Sequence, residues 1–154
     1  MLTDHIAYHG ALNCVPANEV SNLEGRLGKI QVSIKHGATK LLRDGILNAL
    51  SAEAWSGEVL VDPKSDSRIT ITAVKNDIGL CLQTGNVSRV YADLIKLQTL
   101  YLRGDINAAI LILFRNETSR VLGSNIASYE RFSKEIPIFS RVISLPLIMI
   151  GVGD

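Results

Sequence analysis

Residues 68–104, RITITAVKNDIGLCLQTGNVSRVYADLIKLQTLYLRG, change period part-way along. Ile69 and Ile71 alternate with Thr70 and Thr72, and Ile78, Leu80 and Leu82 alternate with Gly79, Cys81 and Gln83, as residues on the two faces of a strand do. From Val87 the spacing lengthens, and Val87, Val90, Tyr91, Leu94, Leu97 and Tyr101 fall on one face of a helix over 87–103. Asn86 is suited to cap that helix and Gly104 to end it. The stretch predicts two antiparallel strands joined by a tight turn, then a long amphipathic helix. One face of the hairpin, with both isoleucine-leucine sets, is expected in the core. The other gathers Thr72, Cys81 and Gln83 and is expected to open to a concave surface. Cys81 beneath the helix would instead indicate a register shifted by one residue, and with it a failed motif alignment, because a shift of one exchanges the faces.

Upstream, residues 1–22 mix Gly, Asn and Pro without a sustained period and read as an irregular lead-in. Ser21, with Glu24 three positions on, predicts a capped helix over 22–35. Leu41, Leu42, Ile46, Leu47 and Leu50 place a second helix over 39–51. Glu58–Val61 reads as a short strand stopped by Asp62-Pro63. Downstream, the unbroken apolar run Ala108–Phe114 suits a strand covered on both faces. Thr118 is placed to cap a helical region reaching Glu135 and broken near Gly123, and Leu147–Val152 is a last buried strand. The order is helix, three strands, helix, strand, helix, strand.

At 154 residues the chain has the size of one domain, so 1–154 is expected to form a single unit. A net charge of +1 excludes a strongly basic binder of histone type and leaves room for a local basic face. Cys14 and Cys81 stand at no metal-ligand spacing, which suits free thiols in a reducing compartment. No apolar run is long enough to cross a bilayer as a helix, and the first residues lack a secretory pattern, so the expected location is cytoplasmic, away from any membrane. His5 and His9 would share a helical face beside Asp4, but no third ligand is fixed by spacing.

The pattern resembles the type II restriction endonucleases related to BglII and BstYI, within the PD-(D/E)XK nuclease superfamily. In that family a strand ends on a metal-binding Asp, a lysine-bearing turn follows, and the next strand carries Glu-x-Gln. Aligned on Gln83, Cys81 stands at the family Glu and Thr72, nine positions before it, at the Asp, with Lys75 in the turn. Gly85, Asn86, Arg89, Tyr91–Leu94 and Lys96–Gln98 resemble the segment after the catalytic strand, and Gly123–Asn125 a later one. The resemblance implies an α/β restriction-endonuclease-like αβββαβ core with a mixed sheet flanked by helices, which agrees with the element order above. It also implies double-stranded DNA as partner and a homodimer suited to two-fold-symmetric sites.

The departures matter chemically. Phosphodiester cleavage in such a site uses Mg²⁺, a hard cation that takes oxygen ligands, usually carboxylates and waters. Thr72 and Cys81 offer a hydroxyl and a thiol, so they read as vestigial catalytic positions together with Gln83, and no cofactor is expected. Lys75, Asn86, Arg89 and Lys96 are the candidate DNA contacts, supplying charge or hydrogen bonds to phosphates; Lys29, Lys35, Lys40 and Arg43 lie before the sheet. The expectation is a catalytically impaired, DNA-binding relative acting in restriction or phage defence, alone or with a catalytically competent nuclease subunit. The alternative is an active Mg²⁺-dependent site-specific endodeoxyribonuclease whose ligands have moved to turn carboxylates, Asp62 and Asp77 foremost, with Asp66, Glu53 and Glu58 nearby. A third reading is a protein-interaction scaffold that does not bind DNA. Asp93, at helical spacing from Arg89 and Lys96, reads as surface support for its helix.

Overall fold

The computed structural model describes residues 1–154. Strand β1 (Leu2–Tyr8) is followed by helices α1 (Ala11–Cys14), α2 (Ala17–Gly28) and α3 (Thr39–Ala52). Strands β2 (Val59–Leu60), β3 (Thr70–Ile71), β4 (Ala73–Lys75) and β5 (Ile78–Gln83) precede the longest helix, α4 (Val87–Leu102). Then come β6 (Ala108–Phe114), α5 (Asn116–Leu122), α6 (Tyr129–Glu135), a 3-10 turn at Ile136–Phe139 and β7 (Leu147–Gly153). The main sheet is mixed, in the order β1-β7-β6-β5-β4, while β2 and β3 form a separate antiparallel ribbon. Strands β5, β6 and β7 are parallel, and β4 and β1 run antiparallel at the two edges. This is the mixed sheet flanked by helices that the sequence predicts. No helix is long and apolar enough to cross a membrane.

Two apolar layers sandwich the sheet. Ile78, Leu80 and Leu82 of β5 join Leu23, Leu27, Leu42 and Ile46 from α2 and α3 on one side. Cys81 joins Val90, Leu94 and Leu97 from α4 on the other. Each fully buried Leu or Ile contributes about 1.5–3 kcal/mol relative to exposure, so both helix layers are held strongly. Gly79 keeps α4 close: a Cβ there would lie 2.9 Å from Ile106 Cδ1 and 3.1 Å from Leu97 Cδ2.

Several expectations are corrected. Residues 1–22 are not irregular: β1 pairs along its whole length with β7, from Leu2 opposite Gly153 to Tyr8 opposite Leu147. Its alternation is weak because an edge strand is held by backbone hydrogen bonds more than by burial. With it goes the helical His5–His9 pair, since His5 is in a strand and its Nδ1 lies 3.0 Å from Glu24 Oε1. The next helix starts at Ala17, after Pro16, not at Ser21, and ends at Gly28; Val20, Leu23 and Leu27 are its buried stripe. Thr118 lies inside α5, whose N-cap is Arg115, and its hydroxyl accepts from the Asp154 N–H (3.1 Å).

The hairpin differs most. The run 68–75 is not one strand: it bends at Thr72, β3 leaves to pair with β2, and only β4 pairs with β5. Beyond the bend the faces are exchanged, so Ile71 joins the α4 side and Ile69 is 49% exposed. The face holding Cys81 is not open, because α4 covers it and leaves Cys81 1% exposed. The register of β5 is nevertheless unshifted, since Ile78, Leu80 and Leu82 share the opposite face. With α2 and α3 packed on one side of β5 and α4 on the other, the strand has no free face to offer.

Candidate functional site

Beyond the C-terminal end of β5 lies a cleft of about 580 Å³ between α3, the β2–β3 ribbon and the first turns of α4. In parallel sheets this end of the strands is where ligand sites form, because loops there can be shaped without disturbing the core. Thr72, Cys81 and Gln83 all border the cleft, together with Arg89 and Lys96 from α4. Arg43 of α3, Glu58 and Asp93 complete its charged lining.

The floor is a hydrogen-bonded network. Gln83 Nε2 donates to Asp93 Oδ2 (2.6 Å), and the Gly85 N–H donates to Gln83 Oε1 (2.8 Å). Lys96 Nζ donates to the other carboxylate oxygen, Asp93 Oδ1 (2.9 Å). Asp93 is thus engaged on both oxygens and is only 6% exposed. Its reading as surface support is corrected: it turns toward the sheet because Gln83, a polar side chain at a buried strand end, needs a partner there. Gly85 makes room for this, since a Cβ at that position would lie 3.0 Å from Gln83 Oε1 and 3.4 Å from Arg89 Cδ.

Thr72 and Cys81 are held in other ways. Thr72 Oγ1 accepts from the Leu82 N–H (2.9 Å), while the Thr72 N–H donates to the Leu80 carbonyl (3.0 Å). The hydroxyl therefore stitches the bend to β5. Burial pushes the Cys81 thiol well above its ordinary range, and the Asp93 carboxylate adds to this while Lys96 and the Thr72 backbone partly oppose it. A thiol kept protonated is neither a metal ligand nor a nucleophile at neutral pH. Arg43 Nη1 donates to the Leu82 carbonyl (3.1 Å), which fixes a guanidinium at the strand end.

The remaining candidates are dispersed. Lys75, expected to flank the cleft, points elsewhere: its Nζ lies 2.7 Å from Glu19 Oε2 of α2, at the other end of the hairpin. Asn86 caps α4, accepting from the Arg89 N–H (3.2 Å) and the Ser88 hydroxyl (2.7 Å). Its backbone bridges to Ile126, which brings Gly123–Asn125 near the start of α4. Asp62 accepts from the Lys64 N–H (3.0 Å) in an exposed turn. Asp77 is exposed in the β4–β5 turn with φ 60°. Neither borders the cleft, so the relocated set built on Asp62 and Asp77 does not converge there. Glu53 is paired with Arg26 (2.6 Å), and Glu58 alone of the turn-proximal carboxylates reaches the cleft.

No group of three or more His, Cys, Asp or Glu side chains is arranged to hold a metal ion. A hard divalent cation calls for oxygen ligands with net negative charge. Around the cleft the donors are a hydrogen-bonded hydroxyl, a buried thiol, a carboxylate already bound on both oxygens and Glu58, against three cationic side chains. That set does not fit Mg²⁺. Sequence reasoning overlooked Arg43, Glu58 and Asp93 as a converging group. Only the polar Gln83 at the end of an apolar strand signalled that something charged would meet it.

The family described as restriction endonuclease BglII/BglIII matches residues 7–152. Among solved structures, restriction endonuclease BglII complexed with a DNA 16-mer is similar at 14% identity and a TM-score of 0.88, covering 100% of this chain and 79% of that one. Free BglII is similar at 15% identity and a TM-score of 0.77, covering 100% and 80%. At such identities the likeness to these structures is one of fold. No curated protein matches the sequence.

Proposed function

The chain belongs to the BglII/BglIII restriction endonuclease family, and from that premise we propose that it binds double-stranded DNA through the cleft at the end of β5 without cleaving it. The observation that carries the reading is the cleft's chemistry: a hydroxyl and a buried, protonated thiol, Thr72 and Cys81, line it among Arg43, Arg89 and Lys96, and by the spacing up to Gln83 these two resemble the positions of the family's metal-binding carboxylates. Likeness of fold to a BglII–DNA complex supports DNA as the partner. Arg89 and Lys96 neutralise phosphates, and Asn86 sets the start of α4 from which Arg89 projects. Lys75 is left out of the DNA contacts because Glu19 holds it. The protein acts as a homodimer, whose two-fold axis matches that of a palindromic site. Its setting is restriction or phage defence in the cytoplasm, alone or beside a competent nuclease subunit.

This chain's residues would orient and neutralise the DNA backbone. They would not deliver an activated water, since the carboxylates that would gather a metal ion at Thr72 and Cys81 are missing. The test is incubation of plasmid and phage DNA with Mg²⁺ or Mn²⁺, alongside anisotropy titration of a duplex at low and near-physiological salt. Uncut DNA, with binding that weakens steeply with salt, is expected. Metal-dependent cleavage that disappears on Glu58→Gln or Asp93→Asn substitution would overturn the impaired-site reading. Absence of binding at low salt by folded protein would overturn DNA binding and favour the scaffold.

A further inference from the structure

A helix-surface Asp–Lys pair three residues apart is ordinarily solvated and of little consequence. The pair on α4 is built differently. Asp93 is buried, its second oxygen is bound by Gln83 of β5, and Gln83 is itself fixed by the Gly85 N–H. The Lys96 ammonium is thereby held at the cleft by a chain of three hydrogen bonds that reaches back into the central sheet. An ammonium has three N–H donors, and Asp93 takes one, which leaves two for an incoming anion. Arg43 is held at the same strand end by the Leu82 carbonyl and keeps most of its five donors free.

We propose that Lys96, set in place by Asp93 and Gln83, is a fixed phosphodiester anchor that stands in for a divalent cation and gives the cleft a metal-independent hold on the DNA backbone, with Arg43 beside it. The proposal rests on the DNA-binding reading and deepens it. It follows from the misfit of the donor set to Mg²⁺: a cleft with a cationic excess over Glu58 and Asp93 attracts an anion and repels a second cation. Asp93 and Gln83 are positioning residues, because neither would touch the phosphate. Their burial is explained by the need to hold a flexible lysine still, since an unrestrained one loses much of its rotamer entropy on binding.

The experiment is anisotropy titration of a labelled duplex at several salt concentrations, in EDTA and in Mg²⁺, with folding of each variant checked by circular dichroism. The unaltered protein should bind in EDTA, and added Mg²⁺ should not tighten the complex but only compete for phosphates as a counterion. Lys96→Ala should weaken binding roughly tenfold, the loss of one charge-assisted contact, and flatten the log–log salt slope by about one unit. Lys96→Gln keeps a donor for Asp93 without the charge and should show the same loss, which keeps the question decidable if the alanine variant folds poorly. Lys96→Arg should retain the slope. Lys75→Ala, at the far end of the hairpin, should leave affinity unchanged. DNA binding that requires Mg²⁺, or that is indifferent to Lys96→Gln, would overturn the anchor while leaving DNA binding intact. No binding by the folded, unaltered protein under any condition would instead overturn the reading on which the anchor rests.

Discussion

Two lysine–carboxylate pairs sit at opposite ends of the β4–β5 hairpin, and they are nearly alike as pairs. Lys75 and Glu19 are 2.7 Å apart with side chains 18% and 10% exposed; Lys96 and Asp93 are 2.9 Å apart with 24% and 9%. Their surroundings differ. Glu19 also accepts from Asn76 Nδ2 (3.5 Å), so the first pair ties α2 to the tip of the hairpin, across 56 residues of sequence, and ends there. The second pair lies within one helix, is braced from the sheet by Gln83 and borders the cleft. A charge pair becomes part of a site by what lies beyond it, since its own distance and burial are almost the same in both cases.

The sharpest way to break the comparison is at Glu19. Glu19→Ala leaves Lys75 without its acceptor in a half-buried place and should cost about 2–3 kcal/mol, somewhat under the loss for a fully buried pair because Lys75 can turn to water. Urea unfolding would measure it, and DNA affinity of the folded variant should be unchanged. Lys75→Met with Glu19→Leu replaces the whole pair by apolar volume and should recover most of that loss. If Glu19→Ala reduced DNA affinity as much as Lys96→Gln does, the two ends would not be functionally distinct.

Cys81 sharpens the comparison at the cleft end. Its thiol is raised by burial, so the folded chain keeps a proton that the unfolded chain loses near the ordinary thiol value of 9.0. The unfolded state then binds fewer protons, and stability should fall as pH rises through about 9, by up to roughly 1.4 kcal/mol for each pH unit beyond it. A thiol reagent at neutral pH should label Cys14 alone in the native protein and both cysteines in denaturant, because Cys14 is exposed and Cys81 is buried. Rapid native labelling of Cys81 would mean that α4 does not cover it as described.

The smallest effect is expected at the turn. Asn76 and Asp77 both have positive φ, 49° and 60°, as a two-residue hairpin turn of the primed type requires. Asp77→Gly should therefore stabilise the hairpin by about 0.5–1 kcal/mol, since glycine enters that region without a Cβ clash. Thermal unfolding would show it, and DNA binding should be unaltered. A loss of metal-dependent activity in this variant would revive Asp77 as a ligand.

The strongly periodic segments were legible in the sequence. The apolar runs of β6 and β7, the alternation of β5 and the helical stripes of α3 and α4 each report locally which side of the chain is buried. The gathering of Thr72, Cys81 and Gln83 beside one cleft was legible through their spacing, but the open face expected for them was not, since α4 covers it. β1 was hidden because an edge strand needs backbone pairing with β7 and carries little alternation of its own. The bend at Thr72 was hidden because RITIT alternates whether it continues into β4 or leaves to pair with β2. Asp93 was misread because on an isolated helix it does flank the apolar stripe, and only the end of β5 lying beneath it makes that flank an interior.

The sequence by itself determined the strongly periodic elements, β5, α4, β6 and β7 among them, the family the chain belongs to, and the hydroxyl and thiol at Thr72 and Cys81, all of which are properties of neighbours along the chain. The tertiary structure decided which charges meet: Lys75 goes to Glu19, Lys96 is braced by Asp93 and Gln83, and Arg43 arrives from α3. Those choices lie outside the reach of local pattern because a charged side chain has many partners it could take in sequence, and chain packing alone brings one of them within hydrogen-bond distance while excluding water from the rest.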